Sequence, residues 1–227
     1  MDAYAKSKIN KVQLSKRAHY DQKTVHAILD DGLVAHVGFE DKDWPMVIPM
    51  IYARIGETLY LHGAKAARFA KAMGKGLPVC ITVTHLDGLV LARSAFHSSV
   101  NYRSVVIHGA ARAITDVDEK TRALAAVTDH IAPGRWDEAR EMNDKELKST
   151  GVIAVEIEHA AAKIRTGGPI DDDEDYELPI WAGVVPVGPV FGTPSDDGRV
   201  PAGVEVPESA TRVLARNQRP LSGAKQP

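Results

Sequence analysis

Leu59–Arg68 reads LYLHGAKAAR, an apolar run that closes on a histidine, a glycine, a lysine and an arginine. The pattern predicts a strand ending at His62, a tight turn at Gly63 and a helix starting near Lys65. Lys65 and Arg68 then project from one side of the first helical turn. A helix N-terminus offers unpaired N–H groups and partial positive charge, which suits a phosphate. A cation placed there opposes the helix dipole by about 0.3–1 kcal/mol, and a bound anion would reverse the sign. The competing explanation is two solvated cations on an alanine-rich helix. A second cluster, His97–Ser104 (HSSVNYRS), supplies serine hydroxyls, an amide, a phenol and a guanidinium within eight residues. Such a set hydrogen-bonds a polar ring edge or a phosphate, or forms a polar loop between strands. Trp181, in IWAGVVPV after the acidic run Asp171–Asp175, either stacks on a flat ligand or anchors the edge of the core.

Other chemistries fail on spacing. No GxSxG elbow, Walker A lysine loop or GxGxxG after a strand is present. The nine histidines are scattered without HExxH, so no dedicated metal site is expected. The acidic run lacks the glycine and terminal glutamate of a calcium loop. Cys80, the single cysteine, excludes an internal disulfide and sits in an apolar run as a packing residue. With 28 basic and 30 acidic residues, the net charge of −2 argues against a general nucleic-acid binder. No apolar run reaches the roughly 20 residues of a membrane helix, and the N-terminal segment has no apolar core of a secretory signal. A soluble, cytoplasmic protein is the expectation.

The elements that position these residues follow from periodicity. Asp21 caps a helix to Asp31, with Val25, Ile28 and Leu29 on one face and Gly32 as an αL stop. Leu33–Phe39, Pro45–Arg54 and Thr58–His62 read as hairpin-linked strands. A helix spans Lys65–Lys75, closed by Gly74 and Gly76. Pro78–Leu86 and Leu89–Phe96 read as a hairpin turning at Asp87-Gly88. Ser104–Ile114 is a long strand, Asp118–Ile131 and Asn143–Thr150 are helical, and Val152–Glu158 alternates as a half-buried strand. These six or so strands, mostly hairpin-linked, with three or four helices among them, predict an α+β, mainly β fold: an antiparallel barrel with peripheral helices. Residues 1–16 read as an N-terminal arm and 17–187 as the domain. Residues 188–227, which hold six of the thirteen prolines, read as an extended or disordered tail.

Taken in order, LDDGLVAHVGF, PMVIPMIY, LYLHGAKAAR, the stretch GLPVCITVTHLDGLVLARSAFHSSVNYRSVVIHGAA, AAKIRTGGP and WAGVVPV resemble the pyridoxamine 5′-phosphate oxidase-like superfamily. The likeness is to its flavin-nucleotide-binding, nitroimidazole-resistance-type branch, over roughly Arg17 to Val187. The resemblance implies a split β-barrel homodimer with FMN in clefts at the subunit interface. It implies that the backbone of Val47, Ile48 and Pro49 faces the isoalloxazine edge. His62, Gly63, Ala64, Lys65 and Arg68 are implied to hold the phosphate and ribityl chain. Tyr102, Arg103 and Ser104 are implied to reach the flavin, and Trp181 to approach it from the partner subunit. The Pro-rich tail lacks the arginine- and histidine-containing substrate segment of true pyridoxamine-phosphate oxidases.

Three functions stay open on this reading. One is an FMN-dependent oxidoreductase acting on a small, flat or aromatic substrate, with His62 or His97 able to supply a proton. The second is a carrier or sensor of flavin. The third keeps the fold and takes haem or a deazaflavin, with His62 as the candidate axial ligand.

Overall fold

The structure is a computed structural model that describes residues 3–73 and 75–218. Nine strands form one antiparallel sheet: β1 (Ala18–His19), β2 (Val34–Asp41), β3 (Trp44–Ile55), β4 (Thr58–Ala64), β5 (Lys75–Leu91), β6 (Ser99–Ala113), β7 (Thr150–Glu156), β8 (His159–Arg165) and β9 (Gly183–Pro186). Their order is β1-β8-β6-β7-β4-β3-β2-β5-β9, and a β5–β6 ladder closes the middle six strands into a ring. This is the antiparallel split barrel expected from sequence. The helices are α1 (Gln22–Asp31), α2 (Arg68–Met73), α3 (Val117–Ile131), α4 (Arg135–Glu138), α5 (Asp144–Ser149) and α6 (Glu208–Leu214).

Strict alternation fills the ring. Ala35, Val37 and Phe39 of β2, Leu59 and Leu61 of β4, Ile81 and Val83 of β5, and Val105 and Ile107 of β6 are buried, while their neighbours face outward. Asp21 accepts from the Thr24 N–H at 2.8 Å and caps α1, whose Val25, Ile28 and Leu29 join the same core. Tyr52 is fully buried and donates to the Leu29 carbonyl at 2.5 Å, tying the ring to that helix. A smaller core lies outside the ring, where Ala123, Leu124 and Val127 of α3 cover Ala53, Tyr60, Val152 and Ala154. Asn143 and Glu146 form a reciprocal capping box that starts α5.

Several elements depart from the sequence expectation. Gly32 has φ −83°, so it is not an αL stop. A Cβ there would lie 2.6 Å from Val83 and 2.7 Å from the Tyr52 hydroxyl, so close packing selects the glycine. Asp87-Gly88 is not a hairpin turn: β5 runs through it with a register shift between Leu86 and Gly88. Ser99–Ser104 of the HSSVNYRS cluster belongs to β6, and only His97 and Ser98 precede the strand. The expected helix from Lys65 starts only at Arg68, because Gly63 and Ala64 stay paired with Gly151 and Thr150 and the Lys65 N–H continues to the Ser149 carbonyl at 2.9 Å. Gly74, expected to close that helix, lies outside the described residues. Within the segment read as an extended or disordered tail, Glu208–Leu214 forms α6, where the buried Ser209 bonds Glu138 of α4.

Candidate functional site

The ladder between β3 and β4 begins at Ile55↔Thr58 and ends at Tyr52↔Leu61. Past that point β4 continues along β7, with His62 opposite Val152 and Gly63 opposite Gly151. β3 continues along β2, with Pro49 opposite His36 and Val47 opposite Gly38. Among the described residues, the edge of β3 over Val47, Ile48 and Pro49 therefore has no strand partner on its β4 side, and His62, Gly63, Ala64 and Lys65 form the facing lip. The two segments singled out in sequence meet across this split. Backbone N–H and C=O groups at such an edge need partners from water or a ligand.

Two cross-strand rows define the outer face beside the split. One runs Val47–Gly38–Cys80–His108–His159, the other Pro49–His36–Thr82–Val106–Ala161. Ser104 lies one row further, opposite Thr84 and Lys163, and donates to the Lys163 carbonyl at 3.3 Å. Small residues occupy the middle of this face, and Val47 is 64 % exposed at its border. Gly38, Cys80, Thr82 and Ser104, with His36 and His108 among them and an apolar border, make a face of small and polar groups that fits a planar ring carrying polar edges.

His62 is half-buried, and its Nδ1 is buried without a hydrogen-bond partner. Burial pushes the imidazole below its ordinary pKa, so it is neutral at physiological pH. Across the ladder from it, Val152 lines a cleft of about 600 Å³ whose other walls include Ile114, Leu147, Lys65 and Lys120. Gly63 serves packing: a Cβ would lie 2.7 Å from the Phe69 ring. The α2 backbone begins at Arg68, but the Arg68 side chain lies outside the described set.

The remaining candidates are dispersed. Arg103 turns away from the outer face and pairs with Asp87 and Asp31, both contacts at 3.0 Å. Tyr102 sits opposite Arg165, with the Lys163 ammonium 5.4 Å from its ring centroid. Trp181 is 67 % exposed and packs its ring over Gly183 at the far edge of the sheet, where β9 pairs with β5. Within one chain it does not approach β3. His97 lies 3.3 Å from Asp172. Sequence reasoning passed over His108, His159, Lys163 and Arg165. Alanine-rich β8 (HAAAKIR) carries three of them without strand propensity to mark it. Among the described residues no group of three or more His, Cys, Asp or Glu side chains is arranged to hold a metal ion, and no helix is long and apolar enough to cross a membrane.

A family model described as pyridoxamine 5′-phosphate oxidase matches residues 21–164. No curated protein matches the chain. Among solved structures, the chain is similar to the flavocytochrome Anf3 from Azotobacter vinelandii, at 40 % identity and a TM-score of 0.87, over 92 % of this chain and 98 % of that one. It is similar to the FAD and heme binding protein from Mycobacterium smegmatis at 34 % identity and a TM-score of 0.83, over 87 % and 97 % of the two chains. A 5-nitroimidazole antibiotic resistance protein from Bacteroides thetaiotaomicron shares the fold at 22 % identity and a TM-score of 0.56, over 65 % and 86 %.

Proposed function

The chain belongs to the pyridoxamine 5′-phosphate oxidase family, and from that premise we propose that it is a flavin-binding oxidoreductase with haem as a second cofactor. The observation that carries this reading is similarity over nearly the whole of both chains to a flavocytochrome and to a protein described as binding FAD and heme. The resemblance read from sequence implied FMN, and the proposal extends to either flavin nucleotide. The substrate class is a small, flat or aromatic acceptor. A homodimer completes the site, with Trp181 contributed by the second chain.

The residues present fit a flavin. The unpaired β3 edge at Val47, Ile48 and Pro49 offers backbone donors and acceptors to a ring edge, and the Ser104 oxygen keeps acceptor capacity beyond its bond to Lys163. Lys65 on the opposite lip, with Arg68 after it, neutralises a phosphate. For haem, the fit rests on the His62 Nδ1, which lacks a partner, and on burial that keeps the ring neutral as metal ligation requires. A bound flavin and haem supply electron uptake and release, and the protein binds, orients and shields them.

The test is the absorption spectrum of the purified protein, before and after adding flavin and then NADPH. Flavin bands that bleach, together with a Soret band lost in His62→Ala, are the expected result. Absence of flavin bands even with FMN and FAD supplied would refute the proposal. Flavin without a Soret band would leave a flavoprotein and remove the haem.

A further inference from the structure

A second cleft, of about 350 Å³, opens where the start of β6 meets the end of β8. Arg17, His97, Ser99, Arg165, Asp171 and Asp172 are among its walls. Arg165 is only 8 % exposed, yet every hydrogen-bond acceptor it meets is neutral: the Asn101 side-chain oxygen, the Gly167 carbonyl at 3.4 Å and the Gly168 carbonyl at 3.3 Å. The two carboxylates of the cleft contact groups other than Arg17 and Arg165. Asp171 accepts from the Arg93 N–H at 3.0 Å and its guanidinium at 3.1 Å, and Asp172 lies 3.3 Å from the His97 ring. Among the described residues, neither Arg17 nor Arg165 has an ion-pair partner.

The local field is cationic. Burial and then the Arg17 charge push the Arg165 guanidinium below its ordinary pKa. Burial raises the Tyr102 hydroxyl, but hydrogen bonds involving Lys163 and Arg17 outweigh it and leave the phenol below its ordinary value. A buried guanidinium without a carboxylate, facing a second guanidinium, is unfavourable until an anion arrives. A single carboxylate neutralises one of the two cations. A phosphate monoester carries nearly two charges at neutral pH and presents oxygens to both guanidinium forks. His97, Ser98 and Ser99, the first half of the polar HSSVNYRS run, line one wall of the cleft.

We propose that this cleft binds the phosphate or pyrophosphate group of a small molecule, held by Arg17 and Arg165 with Tyr102 beside them. The site stands on its own residues and does not rest on flavin being bound. The group has two possible sources: the pyrophosphate of a dinucleotide flavin, or a separate phosphorylated reactant.

The test is calorimetric titration of inorganic pyrophosphate into the full chain, as purified and after flavin is stripped, beside Arg17→Gln and Arg165→Gln. Arg17 lies in a short surface turn ahead of β1, so its variant keeps the experiment readable if Arg165→Gln misfolds. Saturable binding at one site per chain is expected, weakened about tenfold to hundredfold in Arg17→Gln, as loss of a charge-assisted bond implies. Competition of pyrophosphate with FAD but not with FMN assigns the site to the flavin. Flavin affinity indifferent to pyrophosphate assigns it to a separate reactant. Pyrophosphate binding that depends on Arg17 in a chain that takes no flavin upholds this site and refutes the flavin proposal. No Arg17-dependent binding in either form overturns the site.

Discussion

Arg103 grips Asp87 fork to fork, its Nε and Nη2 each 3.0 Å from a carboxylate oxygen, at the point where β5 bulges. The Asp87 side chain is 7 % exposed and that of Arg103 26 %, while Asp31 of α1 takes the remaining guanidinium arm at 3.0 Å. The pair joins β5, β6 and α1. Asp87→Ala should destabilise the protein by about 3 kcal/mol, the low end for breaking a buried ion pair, because Asp31 stays to share the charge. Urea unfolding measures this, and a loss under about 1 kcal/mol would mean that the pair is solvated like a surface bridge.

The same pair explains where sequence reading stopped. Asp-Gly between two β-branched runs is a hairpin signal, but here the aspartate's partner is sixteen residues away and the glycine admits Val184, whose Cγ1 would lie 2.9 Å from a Cβ. Lys65 was misplaced on a helix for a similar reason, since β7 prolongs β4 through a ladder that local spacing does not encode. Elements whose signal is local were legible: α1 through its Asp21 cap and its apolar face, α5 as a short helix from Asn143, β7 through alternation. Of the candidate site, His62–Lys65 was legible as a motif and Val47–Pro49 only through the family resemblance. Their meeting across a split was not, because it depends on where a ladder ends.

Stability should fall with acid through two half-buried imidazoles. Burial holds His62 and His108 below the ordinary 6.5, and the His159 charge adds to the effect at His108. The unfolded state therefore takes up protons first as pH drops through 6.5. Stability is full above that pH, is lost as pH falls below it, and levels off once the folded-state values are passed. Urea midpoints measured between about pH 7.5 and 5 should show the decline, with a shallower slope in His62→Gln and His108→Gln. Equal slopes in wild type and both variants would assign the acid sensitivity elsewhere.

Gly109 marks the tightest approach in the sheet. A Cβ there would lie 2.0 Å from the Glu156 carbonyl oxygen and 3.2 Å from Val155, so backbone itself must move to admit it. Gly109→Ala should cost at least the roughly 1–3 kcal/mol of an overpacked core. Thermal unfolding checks this. A midpoint within error of wild type would show that β6 and β7 separate there without penalty.

Phosphate neutralisation at the split predicts that Arg68→Ala weakens flavin binding by about 1.5–3 kcal/mol, the worth of a charge-assisted hydrogen bond. Quenching of flavin fluorescence on titration gives the affinity directly. Unchanged affinity would remove Arg68 from the site and leave Lys65 as the cation of that lip.

An exposed apolar border beside a candidate cofactor face calls for a partner surface. Val47 is 64 % exposed, Val34 46 % and Leu86 43 %, all on the outer side of β3, β2 and β5. Trp181, 67 % exposed, cannot reach β3 within its own chain but is free to meet a second copy. A two-fold contact buries such a face on both copies at once and brings each tryptophan to the other chain's site. Val47→Asp places a charge in the middle of that contact without touching the core. Light scattering at micromolar concentration should then report a monomer for the variant and a dimer for the wild type, with flavin affinity falling alongside. A wild-type monomer that binds flavin as tightly as expected would confine the whole site to one chain and leave Trp181 without a role in it.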